Sequence, residues 1–379
     1  MSELKVTFPH MGNMYICVRA VLEKLGVGVV VPPPSSKRTL TLGVQHGPEF
    51  ACLPLKLNLG NFIEAHEVGA NTIVMAGGVG PCRFGYYAQI HREILRDLGH
   101  EYRMIVLEPP DKHISELLVG LKQITGRNSW WKIIKALQFA WHKVAAVDRM
   151  EKRVQKLRPR ELKPGEVERV YSSGLNKIDE ARDHASIKAA EAETLEKLNS
   201  IPVDWSRPCL KIGLVGEIYL LLEPFANFHI ERRLGQLGVE VERSIYLSEW
   251  VNENLFMGLV RGVKNSEEAK SKARPYINHF IGGHGQESVG HAIHFQDEGF
   301  AGVIQLAPFT CMPEIVAQSV FTKVREDREL ATLSLIVDEH AGEAGMVTRL
   351  EAFVDLLWRQ KREQESLAGG PVAGTILNS

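Results

Sequence analysis

The stretch TIVMAGGVGPC at residues 72–82 joins a short apolar run to a glycine-rich turn that ends in a cysteine. A helical pattern follows at residues 86–98, and another apolar run follows at residues 104–107. Buried strands that alternate with helices are typical of a parallel sheet with helices on both of its faces. This part of the chain therefore predicts an α/β fold.

The same alternation continues in both directions from this stretch. Toward the N-terminus, apolar runs at residues 4–8 and 27–31 enclose a helical pattern at residues 16–25. Beyond Pro208, four more runs have the length and composition of buried strands, and they lie at residues 210–215, 239–241, 301–306 and 334–337. We therefore predict two doubly wound, Rossmann- or flavodoxin-like lobes.

Residues 114–200, between the two lobes, lose the strand-like runs and become richer in charge. An interior proline breaks a helix, so Pro159 and Pro164 divide this segment into at least two helices, one after Trp130 and one after Gly165. The predicted organisation is an N-terminal lobe at 1–112, a helical region at 113–205, a C-terminal lobe at 206–366 and a flexible tail at 367–379.

Charge and hydropathy narrow the class of protein. The 379 residues include 45 basic and 46 acidic ones, so no field of one sign favours nucleic acid or an anionic membrane. The N-terminus lacks the features of a signal peptide, and no apolar run approaches the roughly 18 residues of a membrane span. We expect a cytoplasmic protein whose partners are small molecules or other proteins.

Five cysteines, an odd and scattered set, predict thiols or metal ligands rather than a disulfide framework. Cys52, Cys82 and Cys311 lie in turn-like settings, and the last two follow apolar runs. Open α/β sheets bind their ligands at the carboxyl ends of strands, so these cysteines are the candidate ligands. Cys17 and Cys209 are predicted to be core residues that behave as small hydrophobic side chains.

The three candidate cysteines are far apart in sequence and form no compact metal-binding motif. A zinc site would need a fourth ligand, such as His284 or His46, and thiolates equally suit iron–sulfur clusters. From the residues alone, zinc, iron and a site without metal all stay open.

Two further residues are candidates for catalysis. Glu217 follows the apolar run at 210–215, where it can face a ligand or cap the next helix. His284 lies in a glycine-rich turn, with His291 and His294 nearby, and can transfer a proton or serve only the fold. The carboxylates after Val337 are open to the same two interpretations, and they are Asp338, Glu339 and Glu343.

The turn at residues 77–80 has the glycine content of a phosphate-binding loop but lacks the full dinucleotide fingerprint. We interpret it as a tight turn that presents Cys82.

Four stretches of the chain resemble the acyl-CoA dehydratase activase-related proteins. They are EFACLPLK at 49–56, GPCRFG at 80–85, DEHAGEAG at 338–345 and TRLEAFVD at 348–355. The wider superfamily includes the 2-hydroxyglutaryl-CoA dehydratase subunits, the benzoyl-CoA reductase subunits and the double-cubane cluster proteins. The resemblance covers both lobes, and it is weakest in the helical region.

The resemblance implies two α/β lobes and a helical region, with a cluster in the cleft between the lobes. Cys52, Cys82 and Cys311 match the three cysteines that hold one [4Fe-4S] cluster in that superfamily. Three thiolates leave one iron open to water, substrate or a bridging sulfide. The cluster is then either a single, oxygen-sensitive cubane or half of an [8Fe-9S] double cubane shared across a dimer.

The resemblance also implies partners. Relatives receive electrons from an ATP-hydrolysing activase, and this chain has no P-loop motif of its own. A homodimer, or a heterodimer with a related subunit, is expected. The implied activity is reductive or radical chemistry on a small substrate, as in a reductase or dehydratase. The alternatives are a non-enzymatic subunit that carries a cluster for electron transfer, and a metal-free protein that binds a nucleotide or acyl-CoA.

Overall fold

The computed structural model describes residues 3–78, 80–108, 114–126, 128–254 and 266–368. Its strands form two four-stranded sheets, and every pairing in them is parallel. The first sheet has the order β2-β1-β3-β4, with β1 (Lys5–Thr7), β2 (Gly28–Val29), β3 (Thr72–Ala76) and β4 (Arg103–Leu107). The second has the order β6-β5-β7-β8, with β5 (Leu210–Gly216), β6 (Val239–Arg243), β7 (Gly302–Pro308) and β8 (Thr332–Val337). The predicted α/β class is confirmed.

Each of these strands coincides with an apolar run predicted from the sequence. A strand in the middle of a parallel sheet is covered on both faces and is therefore continuously apolar, whereas the edge strand β6 alternates valine with charged residues. Strand β7 is buried along its whole length between β5 and β8. Strand β1 lies inside the first sheet in the same way, where Val6 pairs with Val29 on one side and with Thr72 on the other.

The helices connect the strands and fill the segment between the two sheets. The first eight are α1 (Met14–Lys24), α2 (Lys37–His46), α3 (Leu53–Glu67), α4 (Tyr87–Asp97), α5 (Ile114–Thr125), α6 (Trp130–Leu157), α7 (Glu166–Glu180) and α8 (His184–Ser200). The remaining seven are α9 (Ile218–Leu222), α10 (Ile230–Gln236), α11 (Leu247–Asn254), α12 (Glu267–Ala273), α13 (Gly285–Asp297), α14 (Met312–Arg328) and α15 (Glu343–Ala368).

The described part of the helical region contains both predicted helices and two more, α5 and α8. Helix α6 begins at Trp130, and a short 3₁₀ turn with Pro159 ends it. Helix α7 begins after Gly165, whose φ of 87° suits glycine. Helices α6, α7 and α8 share a hydrophobic core with α1, so the helical region packs on the first lobe.

Part of the predicted tail lies in α15, whose last two residues are Leu367 and Ala368. The remainder, residues 369–379, lies outside the described residues, and the predicted domain boundaries stay predictions. No helix in the described part of the chain combines the length and the apolar character needed to cross a membrane.

Helix α3 is held by a very close approach to α2. A Cβ atom added to Gly43 would lie 1.8 Å from the Lys56 carbonyl oxygen, and one added to Gly60 would lie 2.0 Å from that of Thr39. Only glycine fits at such distances. The contact fixes the position of α3, and Cys52 lies at its N-terminus.

Loops that follow the strands of one sheet contact loops that follow the strands of the other. His10 and Gly12, after β1, bond to the Glu223 carboxylate at 2.9 Å and 2.8 Å. Lys56, which is only 1% exposed, pairs with Glu339 after β8. Residues beyond the carboxyl ends of both sheets therefore meet.

A buried charge cluster joins α6 to the second sheet. Arg243, at the end of β6, pairs with Glu151 of α6 and lies 3.2 Å from Glu231. Asp148 accepts a hydrogen bond from the Ser248 amide at 2.7 Å, and burial raises its pKa to about 7. A cavity of about 20 Å³ beside these side chains has room for one water molecule.

Candidate functional site at three cysteines

Each of the three candidate cysteines occupies the N-cap of a helix. Cys52 precedes α3, Cys82 precedes the 3₁₀ turn that leads into α4, and Cys311 precedes α14. Pro54 and Pro313 stand two residues after the first and the last, where a helix tolerates proline. The unpaired N–H groups and positive dipole of a helix N-terminus favour a thiolate.

Arg83 connects the loops that carry the three cysteines. Its guanidinium donates to the Phe50 carbonyl at 3.2 Å and to the carbonyl and hydroxyl oxygens of Thr310, both at 2.6 Å. The Thr310 hydroxyl in turn donates to the Phe50 carbonyl at 3.1 Å. Arg83 was not predicted as a site residue, and its only signal in the sequence is its position next to Cys82.

Thr310 has a φ of +65°, which is strained for a β-branched residue. Its bonds to Arg83 and Phe50 hold it in this conformation. Strain of this kind clusters at functional sites, because the surrounding structure must maintain it. Here it lies directly before Cys311.

Two glycine-rich turns pack against each other at Cys82. Gly80 has a φ of +105°, and Gly282 and Gly283 have φ values of +90° and +47°. A Cβ atom on Gly283 would lie 4.0 Å from the Cys82 sulfur. The tight turn that we predicted before Cys82 stays a prediction, because Val79 lies outside the described residues.

Tyr87 contacts the first of the cysteines. Its buried hydroxyl forms a short hydrogen bond with the Cys52 sulfur. The rings of Phe84 and His91 flank it, with centroids 5.1 Å and 5.7 Å away. The sequence analysis missed Tyr87, because nothing distinguishes it locally from a tyrosine in a helix core.

Burial governs the pKa values of the three thiols. Burial raises the pKa of Cys52, Cys82 and Cys311, and it outweighs the opposing effects of the Tyr87 hydroxyl and of the backbone amides. A reactive cysteine needs a lowered pKa, so these thiols are not activated nucleophiles. A metal would displace their protons on binding.

Glu217 directly follows β5, and its charge acts on all three thiols. It caps α9 by accepting the Tyr219 and Leu220 amides at 3.0 Å and 3.1 Å, so it also has the structural role considered above. Burial raises the pKa of Glu217 to about 7. Its negative charge raises the pKa of all three thiols.

A second carboxylate near the thiols, Glu314, was missed by the sequence analysis. It is buried in the first turn of α14 and accepts hydrogen bonds from Ser288 at 2.9 Å and from Gln305 at 2.8 Å. Burial raises the pKa of Glu314 to about 7, and its charge raises the pKa of Cys311. Two carboxylates that titrate near neutrality therefore act on one group of thiols.

His284 occupies the N-cap of α13, immediately after Gly283. Burial lowers the pKa of its ring, and the charges that act on it are those of Glu287, Glu253 and Lys270. The backbone of His284 therefore lies near Cys82, because it follows Gly283 directly. The charged groups that act on the His284 ring, however, are not part of the cysteine loops.

The other histidines considered above lie elsewhere. His291 and His294 lie further along α13, with ring centroids 6.5 Å apart. His46 lies near His100, whose ring packs on that of His66 at 4.4 Å.

The carboxylates after β8 have structural partners. Glu339 pairs with Lys56, and Glu343 pairs with Arg233 of α10. Asp338 accepts a hydrogen bond from the amide of His340 at 3.0 Å. The first of these pairs holds α3, and hence Cys52, against the loop after β8.

The two remaining cysteines differ from each other. Cys17 is half-buried and packs against two hydrophobic clusters around α1, and burial raises its pKa to about 12. Cys209 is also half-buried, but in the loop before β5, where its thiol contacts the Arg207 carbonyl at 3.5 Å. Its predicted place in the core is wrong, because the strand begins one residue later.

Exposed apolar side chains surround the cysteine loops. We call this set the apolar rim, and its members are Phe50, Tyr86, Phe280, Phe309, Met312, Ile315 and Val316. Phe280 reaches across to the first glycine turn, because a Cβ atom on Gly80 would lie 2.9 Å from its ring. Exposed apolar patches of this kind mark sites of interaction.

Among the described residues, no three His, Cys, Asp or Glu side chains lie close enough together to hold a single metal ion. The loops that carry Cys52, Cys82 and Cys311 are nevertheless joined by the hydrogen bonds of Arg83. Comparison with the profiles of known protein families gives no match, and no curated protein matches the chain.

Proposed function

We propose that this chain is an iron–sulfur redox protein that holds its cluster on Cys52, Cys82 and Cys311. The observation that carries the proposal is that three thiols, each at the N-cap of a different helix, come from loops that one guanidinium ties together. Thiolates are the ligands that iron–sulfur clusters use. The function resembles that of 2-hydroxyacyl-CoA dehydratase components.

The proposal includes a finer description of the fold. Each lobe is a doubly wound sheet with the strand order of flavodoxin-like proteins, and the thiols lie in the cleft between the lobes. The parallel order of both sheets and the contacts between their carboxyl-end loops support it. Ligands of such folds bind beyond the carboxyl ends of strands.

The residues around the thiols fit a cluster. Helix N-termini stabilise the thiolate form, and Tyr87 offers a hydrogen bond to the Cys52 sulfur, a contact that tunes cluster potentials. A cubane also spaces its thiolates more widely than a single ion does. When bound, the cluster would supply one-electron chemistry and an iron without a thiolate ligand.

The chain's own residues would prepare this site for chemistry on a small substrate. Arg83 and the Lys56–Glu339 pair fix the cysteine loops, and the buried ring of Tyr87 excludes water from one side. Glu217 is placed to hold a proton beside the thiols, since its pKa is about 7. It is the stronger of the two catalytic candidates, because His284 interacts with other groups.

The apolar rim supports a protein partner at the same site. An electron donor must approach the cluster closely, and the rim provides an apolar surface around the cysteine loops. By resemblance, the donor is an ATP-hydrolysing activase. A homodimer, a heterodimer with a related subunit and an [8Fe-9S] double cubane across the dimer axis belong to the same proposal.

The rim also favours a second candidate function. A cluster-carrying subunit that passes electrons to another chain, with no substrate of its own, needs the same docking surface. Turnover of a substrate by this chain and its electron donor, without a second catalytic subunit, would exclude that function.

The content of iron and acid-labile sulfide in anaerobically purified protein tests the proposal. We expect about four irons and four sulfides per chain. Protein prepared in air should contain less of both, since an iron without a thiolate is open to oxygen. One zinc per chain without sulfide, or no metal after anaerobic purification and reconstitution, would overturn the proposal.

A further inference from the structure

A second group of exposed apolar side chains lies away from the cysteines, where α5 and α6 meet. We call it the tryptophan patch, and its members are Leu118 and Val119 of α5 and Trp130, Trp131 and Ile134 of α6. Trp131 is 74% exposed. Exposed apolar patches of this kind mark sites of interaction.

The patch is continuous across the two helices. The Lys122 ammonium of α5 lies 4.7 Å from the centroid of the Trp130 ring. Leu118 and Val119 precede Lys122 by four and three residues, so they lie on the same face of α5. On α6, Trp130 and Ile134 are likewise one turn apart.

Lysines flank the apolar residues of the tryptophan patch. Lys132 and Lys135 are exposed on α6 between the apolar residues, and Lys122 flanks them on α5. Residues 117–147 contain five lysines and arginines and no aspartate or glutamate, in a chain whose net charge is only −1. This segment therefore carries a net positive charge, although Glu116 and Asp148 stand at its two ends and the whole chain is nearly neutral.

We propose that the tryptophan patch docks the protein on the surface of an anionic lipid bilayer. Tryptophan and aliphatic side chains beside lysines are typical of helices that lie in the headgroup region. Protein interfaces are instead depleted in lysine, so the three lysines favour lipid over a protein partner. The docking is peripheral, and it does not depend on the cysteine site.

Sedimentation with vesicles tests this inference on the full chain. Vesicles of phosphatidylcholine with about one quarter phosphatidylglycerol should bind the protein, and vesicles of phosphatidylcholine alone should not. Raising the salt concentration from about 0.1 M to 0.5 M should release it, because salt screens surface charge. Tryptophan fluorescence should shift to the blue on binding, as the indole rings leave water.

Variants identify the surface that binds. Trp131→Ala with Ile134→Ala, and separately Lys132→Glu with Lys135→Glu, should each weaken vesicle binding about tenfold or more. Trp205→Ala is the control, since Trp205 is another exposed tryptophan outside the patch, and it should bind like the wild type. All these positions are exposed, so the fold should be retained, and circular dichroism checks this.

Two results would overturn the inference. One is that the wild type does not bind anionic vesicles, or that the patch variants bind them as well as it does. The other is that Trp131→Ala dissociates a dimer of the wild type and leaves vesicle binding unchanged, because the patch would then be a protein interface.

Discussion

Anaerobically purified Cys52→Ala, Cys82→Ala and Cys311→Ala variants should each lose most of their iron and sulfide. Each variant leaves two thiolates for a cluster that already has one iron without a thiolate ligand, so the site can no longer hold it. We expect the content to fall from about four irons per chain to less than one. Iron and sulfide assays and the visible absorption of the cluster measure the change.

Cys17→Ala and Cys209→Ala are the matched controls, and both should keep the iron of the wild type. Cys17 packs against a hydrophobic core and Cys209 lies before β5, so neither belongs to the cysteine site. Thermal unfolding of the metal-free proteins separates loss of the cluster from loss of the fold. Equal iron in all five variants would contradict the assignment of the ligands.

Replacing Arg243 by methionine should destabilise the protein by about 4 kcal/mol, because breaking a buried ion pair leaves an uncompensated charge. Arg243 is 6% exposed, and its loss leaves Glu151 and Glu231 without their cation. The free energy of unfolding in urea measures the effect. Arg149→Met is the control, since Arg149 pairs with Glu191 at the surface and such pairs contribute about 1 kcal/mol or less.

The loss of unfolding free energy caused by Arg243→Met should also depend on pH. Burial raises the pKa of Asp148 to about 7, and Arg243 opposes that rise. A group whose pKa is raised in the folded state contributes stability that is present at low pH and is lost as the pH rises through the folded pKa. Without Arg243 the pKa of Asp148 should rise further, so more stability is lost as the pH rises. The difference in unfolding free energy between Arg243→Met and the wild type should therefore be greater at about pH 8 than at about pH 5.5. A difference independent of pH would exclude a role for Asp148.

Much of the fold could be predicted, because most strands of the two parallel sheets are compact apolar runs, such as β3, β5 and β7. Helices α2 and α3 could not be predicted from the sequence. Helix α3 is buried on almost every side, so it lacks the single apolar stripe of a surface helix. Its leucines at 53, 55, 57 and 59 even alternate as in a strand. The Gly43 and Gly60 contacts that position it are tertiary, and no local pattern encodes them.

Some residues of the candidate site could likewise be predicted from the sequence, and others could not. Cysteines and Glu217 at strand ends could be found, because chain order places strand ends at one edge of a sheet. The bond from Tyr87 to Cys52 and the contact of Arg83 with Thr310 join residues distant in sequence. The tryptophan patch was missed because net charge and span length, which argued against a membrane partner, do not detect a local surface.

Mössbauer spectroscopy of anaerobic protein reconstituted with ⁵⁷Fe and sulfide tests the central claim most directly. Three cysteines on a cubane leave one iron with a different ligand, so we predict that about one quarter of the iron forms a distinct subsite. The Cys82→Ala variant should not show this one-to-three division of the iron, because it retains too few thiolates to hold the cluster. Iron in a single mononuclear environment, or four equivalent irons, would contradict a three-cysteine cluster in this protein.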